Sequence, residues 1–341
     1  MVTIKMIADS LGISTSTVSK ALNDATDISA ELRQSVLEKA VEMGYTTKSS
    51  RKKVNRKLAV LIKNMAYGTQ KDFGYNIVLG FRQAAMNRDW NVDVVDVTKD
   101  LMLTEKYDTF LLKHGFSGAF CLGFTLRDPW MAQFQNSQMA TVLLDNFVSE
   151  NPRVACIGTE NTEGMEYVIR HLVTLHHRRI AFFCGEQHSR VSQDRLDAFE
   201  RAMMSQGLTV HRDMVLFGDY LAPEVRNLLL PAFEKKATAI VCANDIIAAH
   251  VIDECQRYGL RVPEDISVIG FDDIPLASIT EPPLTTIRQN RKNIGMLALT
   301  VLSELCDRVP IALVQIRPQL IIRESTAAAN EKGYTLKVPT N

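Results

Sequence analysis

No apolar run in the chain reaches the ~18 residues that a membrane-spanning helix needs, and the opening "MVTIKMIADS" has no apolar core of signal-peptide length. A cytoplasmic protein with no membrane partner is the expectation. The six cysteines, at 121, 156, 184, 242, 255 and 306, form no C-x-x-C pair and have no histidine at metal-ligand spacing. Four lie in strand-like apolar runs ("AFCLG", "VACIG", "AFFCG", "IVCAN"), as small buried thiols do in a reducing compartment. No metal site is expected. Catalytic signatures are lacking as well: there is no Walker loop, G-x-G-x-x-G, H-E-x-x-H or G-x-S-x-G. Neither an enzyme nor a bound cofactor is expected. His171, His176 and His177 bracket the end of a helical segment, where cations are favourable.

Net charge is lacking too, but only on average. Lysine and arginine number 39, against 39 aspartates and glutamates, yet the stretch "KSSRKKVNRK" (48–57) carries cations and no acid. Such a stretch attracts a polyanion. A solvated linker is the plainer reading of it taken alone.

What the chain does have is apolar material, 46% of its residues, and a length of 341 residues, beyond the ~250–300 at which one core stops growing. More than one domain is expected. Residues 4–43 read as helical throughout. Ile4, Ile7, Ala8 and Leu11 recur at helical spacing, Gly12 breaks the run, and Ser14 caps a second helix with Val18, Ala21 and Leu22 inward. A third helix runs from a Ser29 cap to a stop at Gly44. After residue 57 the pattern alternates. Strand-like runs at 58–64, 91–97, 118–123, 140–146, 178–185, 238–244 and 266–273 are separated by helical segments such as 76–88, 162–175, 191–205, 244–257 and 290–306. Strands apolar along nearly their whole length imply parallel sheets covered on both faces, arranged as two doubly wound lobes.

Two sets of polar residues stand out. On a helical wheel with Val18 inward, Ser16, Lys20 and Asn23 face outward, Ser19 flanks them, and Thr15 and Ser16 occupy the first turn. That face is small, rich in hydrogen-bonding groups and singly positive, so it fits a DNA groove roughly 12 Å wide. An isolated helix-Gly-helix pattern is more commonly an ordinary helical pair, but here a basic stretch adjoins it. The second set is Asn64, Asp145, Asn244 and Asp272, each at the end of an apolar strand, where doubly wound sheets bind ligands and where turn-formers and caps also fall.

The chain resembles the LacI/GalR (lactose-repressor) family of bacterial transcription regulators. "VTIKMIADSLGISTSTVSKALN" is similar to the family's DNA-binding signature, "LHHRRIAFFCG" to its mid-chain segment, and residues 238–290 to its C-terminal block. The resemblance implies an α/β protein with an N-terminal three-helix helix-turn-helix headpiece (1–46), a basic hinge (47–57) and a two-lobed effector-binding and dimerisation domain (58–330) of the periplasmic-binding-protein-like type I. Its first lobe would take about 58–159 and 288–317, its second 160–287 and 318–330, leaving 331–341 as a tail. It further implies a homodimeric repressor on a near-palindromic double-stranded operator, controlled by a small molecule, a sugar first and a nucleoside or purine next. The rival reading, a solute-binding receptor of the same two lobes, has no use for the headpiece.

By the same resemblance Thr15, Ser16 and Lys20 read bases, while Thr3, Ser14, Thr17, Ser19, Asn23 and Tyr45 hold the DNA backbone. Arg195, Asn244 and Asp272 would hydrogen-bond the effector, Phe73, Tyr75 and Tyr220 would stack on it, and Asp145 and Asn161 are further candidates. The chain departs from the family pattern at two places. Met6 stands where an acid usually completes the first helix cap, a loss on the order of 1 kcal/mol. The hinge has Thr47 at the usual proline, and Val54 where a leucine usually wedges into the minor groove, so weaker DNA bending is expected.

Overall fold

The computed structural model describes residues 2–23, 25, 27–45, 56–218 and 228–337. They divide into two compact units, Met1–Ala66 with Asn76–Gly158 and Arg291–Val314, and Tyr67–Tyr75 with Thr159–Asn290 and Gln315–Asn341. The chain thus passes between units at 66/67, 75/76, 158/159, 290/291 and 314/315, so residues 67–75 group with the second unit. The hinge residues 46–55, with the wedge position Val54, lie outside the described residues, as does Tyr220.

The headpiece consists of α1 (Ile4–Leu11), α2 (Thr15–Leu22) and α3 (Ala30–Glu42). Each begins where a hydroxyl satisfies an otherwise unpaired N–H: Thr3 Oγ1 accepts from Met6 N at 3.3 Å, Ser14 Oγ from Thr17 N at 3.0 Å and Ser29 Oγ from Leu32 N at 3.2 Å. Met6 therefore lacks only the acid's half of the α1 cap. Gly12 turns the chain between α1 and α2 at φ 65°, a left-handed conformation that suits a residue without Cβ. The core is small: Ile7, Ala8, Val18, Ala21, Val36, Leu37, Ala40 and Tyr45. Leu112, from elsewhere in the first unit, joins it, and Lys106 Nζ lies 3.3 Å from Glu38 Oε1. These contacts are why the headpiece, expected as a separate module, groups with the first unit.

In chain order the strands are β1 (Lys57–Ile62), β2 (Asn91–Asp96), β3 (Gly118–Leu122), β4 (Ala140–Leu144), β5 (Val154–Thr159), β6 (Ile180–Cys184), β7 (Val215–Phe217), β8 (Ala239–Cys242), β9 (Ser267–Asp272), β10 (Thr285–Arg288), β11 (Leu313–Ile316) and β12 (Gln319–Ile321). The helices among the described residues continue as α4 (Phe73–Met86), α5 (Lys99–Thr104), α6 (Tyr107–Lys113), α7 (Pro129–Phe134), α8 (Asn161–Thr174), α9 (Arg190–Ser205), α10 (Leu230–Glu234), α11 (Asp245–Arg257) and α12 (Arg291–Cys306). One six-stranded sheet has the order β11-β5-β4-β3-β1-β2 and the other β12-β10-β9-β8-β6-β7. Central strands β3, β4, β5, β6, β8 and β9 are buried at every residue, as parallel strands between helix layers must be. The edge strand β2 alternates with solvent exposure, and β12 joins β10 antiparallel.

Two expectations change here. Residues 331–337 are not a separate tail: the Tyr334 ring enters the second unit's core, its hydroxyl donates to Ala237 O at 2.9 Å, and Lys337 N donates to Tyr258 O at 2.9 Å. His177 is not a solvated cation at a helix end. It is 1% exposed, Thr238 Oγ1 lies 2.9 Å from its Nδ1, and Ala327 O lies 2.9 Å from its Nε2. Burial outweighs the Ala327 hydrogen bond and pulls its pKa down to about 4.

The neutral ring is thus part of the folded state, and protonation opposes folding once the pH falls below the unfolded value near 6.5. His177→Gln keeps a hydrogen-bonding side chain without the titration. The stability advantage of the native chain over this variant should be largest at pH 7 and shrink by up to about 3 kcal/mol between pH 6.5 and 4. Urea denaturation at pH 7, 5 and 4 checks it, and a constant difference would show that His177 does not titrate in this window.

Candidate nucleic-acid and small-molecule sites

The outer face of α2 is formed by what its core face leaves over. Val18 and Ala21 are buried, and Thr15, Ser16, Lys20 and Asn23 are exposed. The first turn carries no acid, so the partial positive charge of the helix N-terminus is not offset there. The face also polices its own helix. Ser14 Oγ lies 2.8 Å from Thr17 Oγ1, and Asn23 Nδ2 donates to Ser19 O at 2.8 Å. Ser14, Thr17, Ser19 and Asn23 are therefore engaged in starting and ending α2, which fixes where Thr15 and Ser16 stand. Lys20 is paired with Asp27, whose carboxyl the Lys20 hydrogen bond holds below the usual carboxylate range. Both side chains are about half exposed (49% and 56%), and such pairs are weak. Tyr45, expected at the DNA backbone, has its ring in the headpiece core instead.

The small-molecule candidates come from the carboxyl ends of strands in the second sheet. Arg195, on the buried face of α9, is 3% exposed. Its Nε donates to Asn161 Oδ1 at 3.1 Å, its Nη1 to the carbonyl of Ala243, and its Nη2 lies 3.6 Å from Asp272 Oδ1. The guanidinium carbon sits 3.8 Å from the centroid of the Phe271 ring. Asp272, at the end of β9, also accepts from Gln289 Nε2 at 2.6 Å, and Gln289 Oε1 accepts from Thr159 Oγ1 at 2.5 Å. Asn244 caps α11, its Oδ1 accepting from Ile247 N at 2.7 Å. Beneath lies Asp245, fully buried, accepting from Thr286 Oγ1 and from Ile274 N. Burial first, then the charge of Asp272, holds the Asp245 carboxyl well above the usual range. Burial opposes the charge of Asp273 as well, but Arg323 and Arg288 prevail and hold its carboxyl below the usual range.

Asn161, Arg195 and Asp272 are thus brought together within the second unit, and Asn244 follows Ala243, whose carbonyl accepts from Arg195. Asp145 belongs to the first unit, at φ 53° just after β4, and Phe73 and Tyr75 are half-buried in the first turn of α4. Asn64 at φ 50° is, like Asp145, a turn-former at a strand end. Reading the sequence missed Phe271 and Gln289. Both stand in the block 238–290, Phe271 directly before Asp272, and only the fold shows that they serve the same pair. Among the described residues no group of His, Cys, Asp and Glu is placed to hold a metal ion, and no helix is long and apolar enough to cross a membrane.

Residues 3–48 match the family of bacterial regulatory proteins, lacI family, and residues 169–326 match the periplasmic binding protein-like domain. Two relatives described as the HTH-type transcriptional repressor PurR match nearly end to end. That of Aliivibrio fischeri is 27% identical over 334 residues, 96% of this chain and 99% of its own; that of Haemophilus influenzae is 28% identical over 335 residues, 95% and 98%. The solved transcriptional regulator CelR–cellobiose complex superposes with a TM-score of 0.69 at 23% identity, covering 95% of this chain and all of that one. The lac repressor dimer bound to operator and an anti-inducer superposes at 0.64 with 22% identity, covering 96% and 99%. A solute receptor without DNA-binding role does not account for the match at residues 3–48. The chain thus combines a lacI-family DNA-binding region at residues 3–48 with a periplasmic binding protein-like ligand-binding domain at 169–326, the combination of a DNA-binding transcriptional regulator, and repressor relatives match it nearly end to end.

Proposed function

We propose that the chain represses transcription as a homodimer on a near-palindromic operator, with Thr15, Ser16 and Lys20 of α2 reading base edges in the major groove. The observation that carries this is the exposed, acid-free first turn of α2, held in place by its own Ser14–Thr17 and Ser19–Asn23 hydrogen bonds. In helix-turn-helix dimers the N-terminal residues of the recognition helix contact bases, and the two-fold axis of the protein sets half-site spacing. Thr3, Ser14, Thr17, Ser19 and Asn23 then serve the DNA backbone, which positions the helix without specifying sequence. Lys20 exchanges its exposed Asp27 partner for DNA, at little cost because the pair is solvated.

The effector in this reading is a sugar whose hydroxyls engage Arg195, Asp272, Asn161 and Asn244. A hydroxyl both donates and accepts, and this set offers a carboxylate beside a guanidinium and two amides. Asp272 and Arg195 are each tied from a second side, by Gln289 and by Asn161 and Ala243, so their polar atoms are set before a ligand arrives. Phe73, Tyr75 and Tyr220, expected to stack on the effector, complete the proposed set. The nearest competing chemistry, a purine base, uses the same donors and acceptors on a ring edge.

Lys20→Ala should weaken binding to a duplex enriched from a random library by the native chain by about 1–3 kcal/mol, with little change on unrelated DNA. Fluorescence anisotropy on both duplexes checks it; equal losses on both would remove Lys20 from base reading. A ligand that binds only the folded chain raises its melting temperature. Among cellobiose, glucose, ribose, guanine and hypoxanthine, a sugar should give the largest upward shift. Asp272→Ala should abolish the shift while duplex binding persists; a retained shift would place the effector elsewhere.

A further inference from the structure

We infer that Arg56 is a positioning residue for operator binding, an anchor for the root of the linker rather than one of its phosphate contacts; the inference rests on the DNA-binding reading above. In the sequence Arg56 is one more cation of the basic run 48–57. The fold removes it from solvent, leaving it 2% exposed. Its Nη2 donates to Asp307 Oδ1 at 2.5 Å, its Nη1 to Ser303 O at 3.5 Å, and its guanidinium carbon lies 5.0 Å from the centroid of the Trp90 ring. Its carbonyl accepts from Asn91 N at 2.9 Å at the start of β2. Its Nε–H has no acceptor among the described residues. A side chain clamped on a carboxylate, a carbonyl and an indole has no reach left for a phosphate.

The clamp is firm because of what it is built on. Ser303 lies in the last turn of α12 and Asp307 directly follows its last residue, where the partial negative charge of the helix end favours a cation. That helix is seated on α4 at Gly295, where a Cβ would stand 1.9 Å from Ile77 O, so the two backbones are in close contact. The headpiece is joined to this point through residues 46–55, at most about 35 Å of chain. Where the linker starts therefore limits where each headpiece can stand on its half-site. Specific binding depends on that register and non-specific binding does not.

The test compares the native full-length chain with Arg56→Gln, Arg56→Lys and Asp307→Asn on a duplex enriched from a random library by the native chain, and on poly(dI-dC). All three variants should lose roughly tenfold or more on the enriched duplex while keeping native affinity and salt dependence on poly(dI-dC). Asp307→Asn removes no cation, and Arg56→Lys keeps the charge while losing the fork, so either carries the test if Arg56→Gln does not fold. A loss confined to Arg56→Gln, with a salt slope shallower by about 0.9, would make Arg56 a phosphate contact and overturn the anchor. Native behaviour of all three on the enriched duplex would overturn it equally. Should the native chain enrich no duplex, the operator reading fails and the anchor with it.

Discussion

The second unit is organised around a buried ion pair, Arg195 with Asp272. Taking a guanidinium and a carboxylate out of water costs several kcal/mol each, and their mutual attraction repays this only when the remaining hydrogen-bonding capacity is used. Here it is used on each side. Arg195 spends its donors on Asn161, Ala243 and Asp272 and lays its face on Phe271, and Asp272 accepts from Gln289 as well. The pair thereby ties α8, α9, β9 and the end of β10 to one point. Asp245 sharpens the constraint. It is fully buried next to that pair, where burial first and then the charge of Asp272 push its pKa up, and its oxygens are held by Thr286 and by Ile274 N.

The headpiece solves the opposite problem, stability without bulk. Its apolar cluster is a handful of side chains, and a longer outer side chain on α2 would add contact area but obstruct a groove. Hydroxyls serve instead. Ser14 and Asn23 end the helix at both sides through local hydrogen bonds, leaving Thr15 and Ser16 exposed on a helix whose termini do not depend on packing. Many small polar groups on two short amphipathic helices are what a groove-reading element needs when the same residues must also hold its shape.

Sequence patterns exposed the parts of the fold that are buried on both faces. Runs such as Leu58–Ile62 and Ile180–Cys184 are continuous in apolar residues because helices cover both sides of the sheet, and that continuity is visible without coordinates. The edges are not visible in this way. β7, β11 and β12 are only three or four residues long and half exposed, so neither periodicity nor hydrophobicity separates them from loops. The short helices α5, α6 and α7 likewise fall below the length at which a helical period can be counted. In the site, Arg195, Asn244 and Asp272 stand in motifs, while Gln289 stands after a short strand in "RQN" and gains meaning only through Asp272. His177 misled because a histidine near a helix end is judged by the helix; its partners, Thr238 and Ala327, arrive from distant segments.

Charge shows most plainly why composition and function need coordinates between them. The run 48–57 is uniform in sequence, yet its last two members are consumed by the first unit. Arg56 goes to Asp307 and Trp90, and Lys57 pairs with Asp93 at 2.9 Å while lying 4.7 Å from the Phe116 ring centroid. The change happens where the chain enters β1, whose next residues are fully buried, so the side chains at the entrance are drawn to acids and rings already fixed by the sheet. Two of the run's six cations thus have partners within the first unit, and the net charge of the run overstates what is left for a polyanion. A basic run that abuts a buried strand is therefore not one uniform patch: its innermost members, Arg56 and Lys57, are bound to acids and rings of the first unit.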